Sequence, residues 1–423
     1  MSVPTSKAAD PDYNAARSGH WLLRAEPRFT RLLAAVAVSG IGDWFSTVAV
    51  LGLVLSLTGS GLAVGITLTV RILTYLTVSP LAGALADRIS RKAILVAADL
   101  ARTLSALAYL LVSGHGGIWI VYAGTFALEA FTALSLPAQR ASIPALVRPG
   151  NLLRANALDQ AVLGLVMVVG TVLGGVVLAA LGARAAFIAN SATFLISALI
   201  IATIRYPATA RSVDDAEPAA RLRPVIRRSP QLRIVAAMFA LWPLGGGIIN
   251  ILIPVYGFTV FGDGRTGIAV LYGAQGVGFL VGGGVARRVG ERTAVAAALG
   301  FVVDGACHVF VSQAPDLAAG ALFMMIGTVG AGVGNACAVT LAVQAAPATV
   351  HGRLFGTLDA LSNSVLGVSM LLGGVLTQVM APRPLGLAAG CALTINALLF
   401  GGLLVRAGPR HAIAVVREAE ETG

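Results

Sequence analysis

The sequence predicts an all-α membrane protein with twelve transmembrane helices in two six-helix bundles. Of its 423 residues, 57% are hydrophobic and only 12% are charged, whereas about 25% of the residues of a soluble domain are charged. Apolar runs of about 20 residues recur between short charged connections, and at about 1.5 Å per residue each run can cross roughly 30 Å of hydrocarbon. In addition, the second half of the chain repeats features of the first.

The elements follow in order along the chain. Residues 1–30 are polar and are expected to form a tail, not a cleaved signal peptide. The first bundle, 31–204, holds predicted spans at 32–57, 62–85, 93–113, 117–138, 157–181 and 185–204. Residues 205–233 are rich in proline and charge and are expected to link the bundles. The second bundle, 234–405, holds spans at 234–256, 266–285, 293–312, 317–344, 354–380 and 385–405, and a tail covers 406–423.

The basic residues predict the orientation in the membrane. Twenty-five of the 30 Lys and Arg residues lie in the two tails and in the connections on the same side, and only Arg184, Arg265 and Arg383 lie in the opposite connections. By the positive-inside rule both termini are expected in the cytoplasm. This topology also accounts for the net charge of +11, so no nucleic-acid partner is expected.

An internal repeat at an offset of about 200 residues supports the division into halves. The stretch G83-A-L-A-D-R-I-S-R-K92 aligns with G283-G-V-A-R-R-V-G-E-R292. Likewise L158-D159 precedes Gly174-Gly175 as L358-D359 precedes Gly373-Gly374. The chain is therefore predicted to be a duplicated six-helix unit.

The stretch from Gly83 to Lys92, between spans 2 and 3, resembles the signature G-x-L-a-D-r-x-g-r-k of the major facilitator superfamily. A narrower resemblance is to the bacterial drug-antiporter branch that includes macrolide and siderophore exporters. The residues that carry the narrower resemblance are G42-D43, S60-G-L-A-V-G65, N156-A-L-D159 and G170-T-V-L-G-G175. The resemblance implies the twelve-helix facilitator fold, alternating access and a location in the bacterial inner membrane.

The signature is predicted to act as a conformational latch. Gly83 allows two helices to approach closely, Asp87 can cap or pair at the end of span 2, and Arg88, Arg91 and Lys92 suit an anionic lipid surface. The resemblance implies that Asp87 holds the halves together in the outward-facing state. The positive-inside rule alone would explain the three bases but not Asp87 or the glycine, and Arg287 occupies the corresponding position in the second half.

Span 5 departs from the exporter pattern, because Thr171 stands where such exporters commonly carry proline. Gly170, Gly174 and Gly175 are predicted to allow close helix packing, and packing alone, without any bearing on the direction of transport, explains them equally well.

Ionisable residues inside predicted spans are candidate functional sites, since charge is costly in a bilayer. Asp43 and Glu129 fall near the midplane and are the leading candidates for binding a proton or substrate. The implied fold places spans 1, 4, 7 and 10 around a central cavity, where a carboxylate can take up a proton from one side and release it to the other. The alternative is that each acid only satisfies a neighbouring helix.

The other ionisable residues allow several interpretations. Arg71 is expected either to pair with a carboxylate on span 1 or 3 or to contact an anionic substrate, and it is predicted to lie closer to the outside than Glu129. Structural ion pairs are predicted for Asp99 with Arg102 and for Asp304 with His308. Helix-dipole capping is predicted for Asp159 and Asp359. The glycine run 327–334 favours helix bending or close packing.

These observations predict a secondary active transporter that exports small amphipathic compounds, such as drugs or siderophore-like metabolites, in exchange for protons. The alternatives are a proton- or sodium-coupled symporter for nutrient uptake, a polytopic membrane enzyme and a non-transporting receptor. We expect a monomer in the lipid bilayer, with a small-molecule substrate and without cofactor or metal. Five histidines lack metal-ligand spacing, as do Cys307, Cys337 and Cys391.

Overall fold

The computed structural model describes residues 19–86, 89–148, 151–206, 225–227, 229–289, 292–346 and 351–407. Regular structure in these ranges is helical throughout. A short helix, Gly19–Ala25, precedes the first half. That half contains α1 (Pro27–Thr58), α2 (Gly61–Ala86), α3 (Arg91–Ala108), α4 (Ile118–Leu146), α5 (152–181) and α6 (183–202). The second half contains α7 (Pro230–Val255), α8 (Gly264–Ala286), α9 (Thr293–Gln313), α10 (Leu317–Gln344), α11 (His351–Leu376) and α12 (Pro382–Ala407).

A break at Gly182 separates α5 from α6. The two form one 51-residue run, Leu152–Ala202, in which Gly182 adopts φ 80° and ψ 175°. Glycine reaches this conformation readily, whereas a side chain would strain it. The described ranges contain 11 helices long and apolar enough to cross a membrane, one of them the 42-residue stretch Ala161–Ala202. Divided at Gly182, that stretch supplies two of twelve crossings.

Side-chain caps mark several helix starts. Ser90 accepts a hydrogen bond from the backbone N–H of Ala93 at the start of α3 (3.3 Å), and Ser229 caps α7 in the same way (3.2 Å). Such caps satisfy backbone donors that a helix leaves unpaired. Some predicted ends are wrong, above all that of α4, which continues to Leu146 instead of ending at residue 138. Helix α3 gives way to a 3₁₀ turn at Tyr109–Leu111 instead of continuing to residue 113, and α11 ends at Leu376 instead of 380.

Within each half the helices pack as a bundle, and two pairings make the most extensive contacts between the halves. Helix α1 packs along the α5–α6 run, and α9 packs against both α10 and α12. Between the halves, α2 contacts α11 and the α5–α6 run contacts α8.

The hydrophobic cores show where the halves touch. We call the end of the bundle where α1 begins and α12 ends the terminal face, and the other end the opposite face. One buried cluster combines residues from both halves, including Leu51 and Leu55 of α1 with Ile253 of α7 and Ile268 of α8. These residues lie between the middle of the bundle and the opposite face. Towards the terminal face each half has its own separate cluster. The two halves therefore share one hydrophobic core at the opposite face. At the terminal face each half has a core of its own.

Glycines permit the close contact between the halves. A Cβ atom added to Gly65 of α2 would lie 2.9 Å from the carbonyl oxygen of Met370 and 3.0 Å from Cα of Gly374, both in α11. A Cβ atom added to Gly175 of α5 would lie 2.9 Å from the carbonyl oxygen of Ala269 in α8. Small residues at these positions thus bring backbones of the two halves into direct contact.

Candidate functional site

Arg102 lies at the centre of a buried ion-pair cluster in the first half. Its NH1 group donates to Asp99 Oδ1 one turn earlier on α3 (3.0 Å), and its NH2 group donates to Asp43 Oδ2 of α1 (2.5 Å). The guanidinium also lies 4.0 Å from the centre of the Phe194 ring of α6. The predicted pair of Asp99 and Arg102 is thus part of a larger set, because the same cation also binds the candidate coupling acid Asp43.

A second ion pair joins α2 to α4. Arg71 Nε donates to Glu129 Oε1 (2.6 Å), and Arg71 NH1 donates to Thr47 Oγ1 of α1 (2.6 Å). The prediction that Arg71 pairs with a carboxylate of span 1 or 3 is wrong, since its partner lies on α4. Arg71 also reaches the depth of Glu129 and does not lie separately nearer the outside. The sequence gives helix spacing but not the rotation of one helix against another, so it could not identify this partner.

The two ion pairs meet at α1. Thr47, which accepts from Arg71, is one helical turn from Asp43 and donates to its backbone carbonyl (2.8 Å). Asp43, Thr47, Arg71 and Glu129 line one void of about 20 Å³, which is large enough for about one water molecule. Asp43 Oδ1 is buried and makes no hydrogen bond to the described residues. The two predicted coupling acids therefore border the same small space, which polar and apolar side chains line together.

A cavity of about 910 Å³ extends between the halves from this region towards the terminal face. This volume is typical of ligand sites for drug-sized molecules. Its aromatic wall is formed by Trp44, Tyr75, Tyr272 and Phe279, and its uncharged polar side chains are Thr47, Ser79, Asn250, Gln275 and Asn363. Aliphatic residues and methionines from α2, α5 and α11 complete the wall. The cavity is amphipathic, with both stacking and hydrogen-bonding groups.

The charged groups of the cavity balance. Among the described residues that line it, the cations are Arg71 and Arg140 and the anions are Glu129 and Asp359. Arg71 and Glu129 neutralise one another at the inner end, whereas Arg140 and Asp359 lie near the terminal face. Near the midplane the second half contributes only uncharged side chains to the described wall.

The prediction that spans 1, 4, 7 and 10 line the cavity is wrong for the last of them. Lining residues come from α1, α2, α4, α5, α7, α8 and α11, and none comes from the fully described α10. The glycine run of α10 packs instead against its neighbours: Gly330 meets the backbone of Gly300 on α9, and Thr328 fills the space beside Gly278 of α8. Close packing therefore withdraws α10 from the cavity.

The signature between α2 and α3 is described in part. Asp87 and Arg88 lie outside the described residues, and Gly83 lies in the last turns of α2. Arg91 NH1 donates to the carbonyl of Ala141 at the end of α4 (2.9 Å), and Lys92 Nζ donates to the carbonyls of Ala202 (2.5 Å) and Ile204 (3.1 Å) after α6. These two bases thus bind helix ends of their own half, where cations complement carbonyl dipoles.

The predicted packing glycines of α5 face two different partners. Gly170 and Gly174 lie against Trp44 and Phe45 of α1, and Gly175 lies against α8. Of the remaining acids, Asp304 lies 3.3 Å from His308 Nδ1 within α9, away from the cavity, and both side chains are buried. Asp159 is buried about two turns inside α5, and Asp359 is exposed about two turns inside α11. Neither acid lies in the first turn of its helix, so the predicted helix-dipole capping is wrong, because that effect falls off within the first turn.

Sequence reasoning missed several residues of this site. Thr47 and Tyr272 are polar residues in mostly apolar helices, and Gln275 follows Tyr272 by one turn on α8. The only signal in the sequence is that Tyr272 and Gln275 lie on one helical face. Whether that face points into the cavity depends on the tertiary packing, which the sequence does not give.

Comparison with known proteins identifies the family. The family model described as Major Facilitator Superfamily matches residues 32–369. The chain is 28% identical to YfiS of Bacillus subtilis (strain 168), an uncharacterized MFS-type transporter. The aligned stretch of 181 residues covers 43% of each chain. It is 30% identical over 277 residues to y4rN of Sinorhizobium fredii (strain NBRC 101917 / NGR234), another uncharacterized MFS-type transporter, covering 62% of this chain and 67% of that protein.

Solved structures share the fold at low sequence identity. A bacterial homologue of the iron transporter ferroportin, in an inward-facing state, matches with TM-score 0.70 and 14% identity over 90% of this chain and 99% of that one. A bacterial homologue of the human lysosomal transporter Spinster, inward-facing and unoccupied, matches with TM-score 0.66 and 14% identity over 92% and 96%. The predicted fold class, twelve helices in two six-helix bundles, is confirmed.

Proposed function

The chain belongs to the Major Facilitator Superfamily of membrane transporters, and from this premise we propose that it is a proton-coupled exporter of small amphipathic compounds. The observation that carries the proposal is the pair of membrane-embedded carboxylates, Asp43 and Glu129, that line one small void beside a large cavity between the halves. Ionisable groups at this depth are costly, so their presence in a membrane span indicates a function.

The cavity and the distribution of basic residues together support an orientation. The basic tails and connections favour the cytoplasm for the terminal face. The cavity extends towards that face, and the halves are packed together at the opposite face. In this assignment the conformation is inward-facing and can admit a compound from the cytoplasm.

The coupling follows from the ion pairs. A proton that binds Asp43 or Glu129 removes the negative charge that holds Arg102 or Arg71 in place, which changes the contacts of α1 with α3 or of α2 with α4. Protonation then favours one arrangement of the halves over the other, because it stabilises the two to different extents. Substrate in the cavity favours one arrangement of the halves, and a proton on the acids favours the other. The transporter then exchanges substrate for protons.

The experiment that tests this function is transport in proteoliposomes with an imposed pH gradient, screened against amphipathic drugs and siderophores. We expect substrate to move in the direction opposite to the protons. We expect Asp43→Asn and Glu129→Gln to abolish this movement. Asp304→Asn, which alters a buried acid outside the cavity, is the control and should retain it. Movement of substrate in the same direction as the protons would indicate a symporter, and unchanged transport in both variants would refute the coupling roles.

A further inference from the structure

Two asparagines of the second half present free hydrogen-bond acceptors to the cavity. Asn250 Nδ2 donates to the carbonyl of Gly246 on α7 (2.8 Å), and Asn363 Nδ2 donates to the carbonyl of Asp359 on α11 (2.9 Å). Both residues line the cavity. The two asparagines, on different helices, thus make the same contact with the carbonyl four residues earlier.

This contact fixes the orientation of each amide. A backbone carbonyl can only accept, so the NH₂ group must face it and the side-chain oxygen must point away. Among the described residues no donor bonds to Oδ1 of Asn250 or Asn363. Each side chain is partly exposed, so its oxygen is available to a bound molecule.

The charge balance of the cavity restricts what such a molecule can be. Arg71 and Glu129 are paired at the inner end, and the second half adds no charged side chain to the described wall near the midplane. A charged substrate would find no unpaired counter-ion there, and leaving a charge without a partner in a desolvated site is expensive. An uncharged molecule with O–H or N–H donors and an aromatic or aliphatic body fits the wall.

We propose that Asn250 and Asn363 determine substrate specificity by accepting hydrogen bonds from O–H or N–H groups of an uncharged amphipathic substrate. Ionic coupling is then confined to the first half and substrate recognition is assigned mainly to the second. This inference rests on the proposed function, because it names the substrate class of the same cavity.

The test compares two probes that differ in their hydroxyl donors, and the variants below separate the loss of donors from the added bulk of the acetyl groups. Chloramphenicol is uncharged and carries two hydroxyl groups and an amide N–H, and in its diacetate both hydroxyls are capped. Binding of each is measured by tryptophan fluorescence in nanodiscs without a pH gradient, since Trp44 lines the cavity. We expect the capped probe to bind about 3- to 10-fold more weakly, as befits the loss of one or two neutral hydrogen bonds.

The variants assign that preference to the asparagines. Asn250→Leu and Asn363→Leu should each lower the affinity for chloramphenicol and leave that for the diacetate nearly unchanged. Gln378→Leu is the matched control, because it removes an amide that bonds to Ser60 at the opposite face, outside the cavity. If a leucine variant fails to fold, the alanine variant at that position replaces it. If the asparagines had a purely structural role, the leucine variants would weaken the binding of both probes equally.

Equal affinity of the wild-type protein for both probes, or binding of neither, would overturn the inference. So would stronger binding of the cation ethidium than of chloramphenicol. These results leave the proposed function untouched, since it is judged by proton-driven movement in proteoliposomes. Conversely, loss of proton coupling together with the expected donor preference would refute the exporter and leave the recognition site in place.

Discussion

At the scale of single residues, Arg102 explains how three charged groups are accommodated inside a membrane protein. One guanidinium binds Asp99 and Asp43 and stacks on Phe194, so it connects α3 with α1 and α6. The side chain of Arg102 is 6% exposed. Because the guanidinium is buried, water has little access to the site. The two carboxylates therefore depend on Arg102 for neutralisation of their charge.

Replacing Arg102 should therefore destabilise the first half. We expect Arg102→Gln to lower the free energy of unfolding by about 3–5 kcal/mol, the usual cost of leaving a buried charge unpaired. Thermal unfolding in detergent measures this as a lower Tm. Arg406→Gln, at the exposed end of α12, is the control and should leave Tm unchanged.

A charge-balanced variant separates electrostatics from packing. Arg102→Gln combined with Asp99→Asn removes one cation and one anion and should recover part of the lost stability. A double variant as unstable as the sum of the two single variants would contradict the assigned ion pair.

At the scale of helices, glycines determine which faces can meet. Gly175 and Gly164 are both on α5, but a Cβ atom on Gly175 would meet the backbone of α8, whereas nothing lies within 4 Å of one on Gly164. The first position keeps the halves in contact at the opposite face, and the second has no such role.

Valine at position 175 should push the halves apart at the opposite face. In a cysteine-free background with spin labels at Ser113 and Gln313, one in each half, we expect Gly175→Val to lengthen the mean distance between the labels. Gly164→Val should leave the distance unchanged. The same distance distribution in both variants would show that this contact does not set the closed opposite face.

The helices themselves could be predicted from the sequence, but their contacts could not. Apolar length and capping residues such as Ser90 and Ser229 fix most helix ends within a few residues, since both depend on neighbours in sequence. The exception is α4, which continues to Leu146 past its predicted end at residue 138. The partner of Arg71 and the absence of α10 from the cavity depend on how each helix is rotated in the bundle. Asp43 and Glu129 were identifiable because a carboxylate in an apolar span is conspicuous, whereas Asn250 and Asn363 resemble ordinary helix residues.

At the scale of the whole molecule, the charges of the connections predict the orientation in the membrane, with both termini in the cytoplasm. Green fluorescent protein fused to the C-terminus should fluoresce, since it folds in the cytoplasm, and alkaline phosphatase fused after Gly262, between α7 and α8, should be active outside it. An active phosphatase fused at the C-terminus would show that the orientation is the opposite one and that the cavity opens towards the exterior.

The balanced charges of the cavity have an energetic consequence for the cell. If the chain is the proposed proton-coupled exporter and its cargo is uncharged, each turnover carries the net charge of the protons alone, so the cycle is electrogenic. Voltage then assists export alongside acidity, by about 2.3 kcal/mol per charge for each 100 mV. The cavity's described cations, Arg71 and Arg140, equal its anions, Glu129 and Asp359, in number. With an uncharged cargo, the proposed exporter would therefore use both the voltage and the pH difference, and it would keep working when the external pH is neutral.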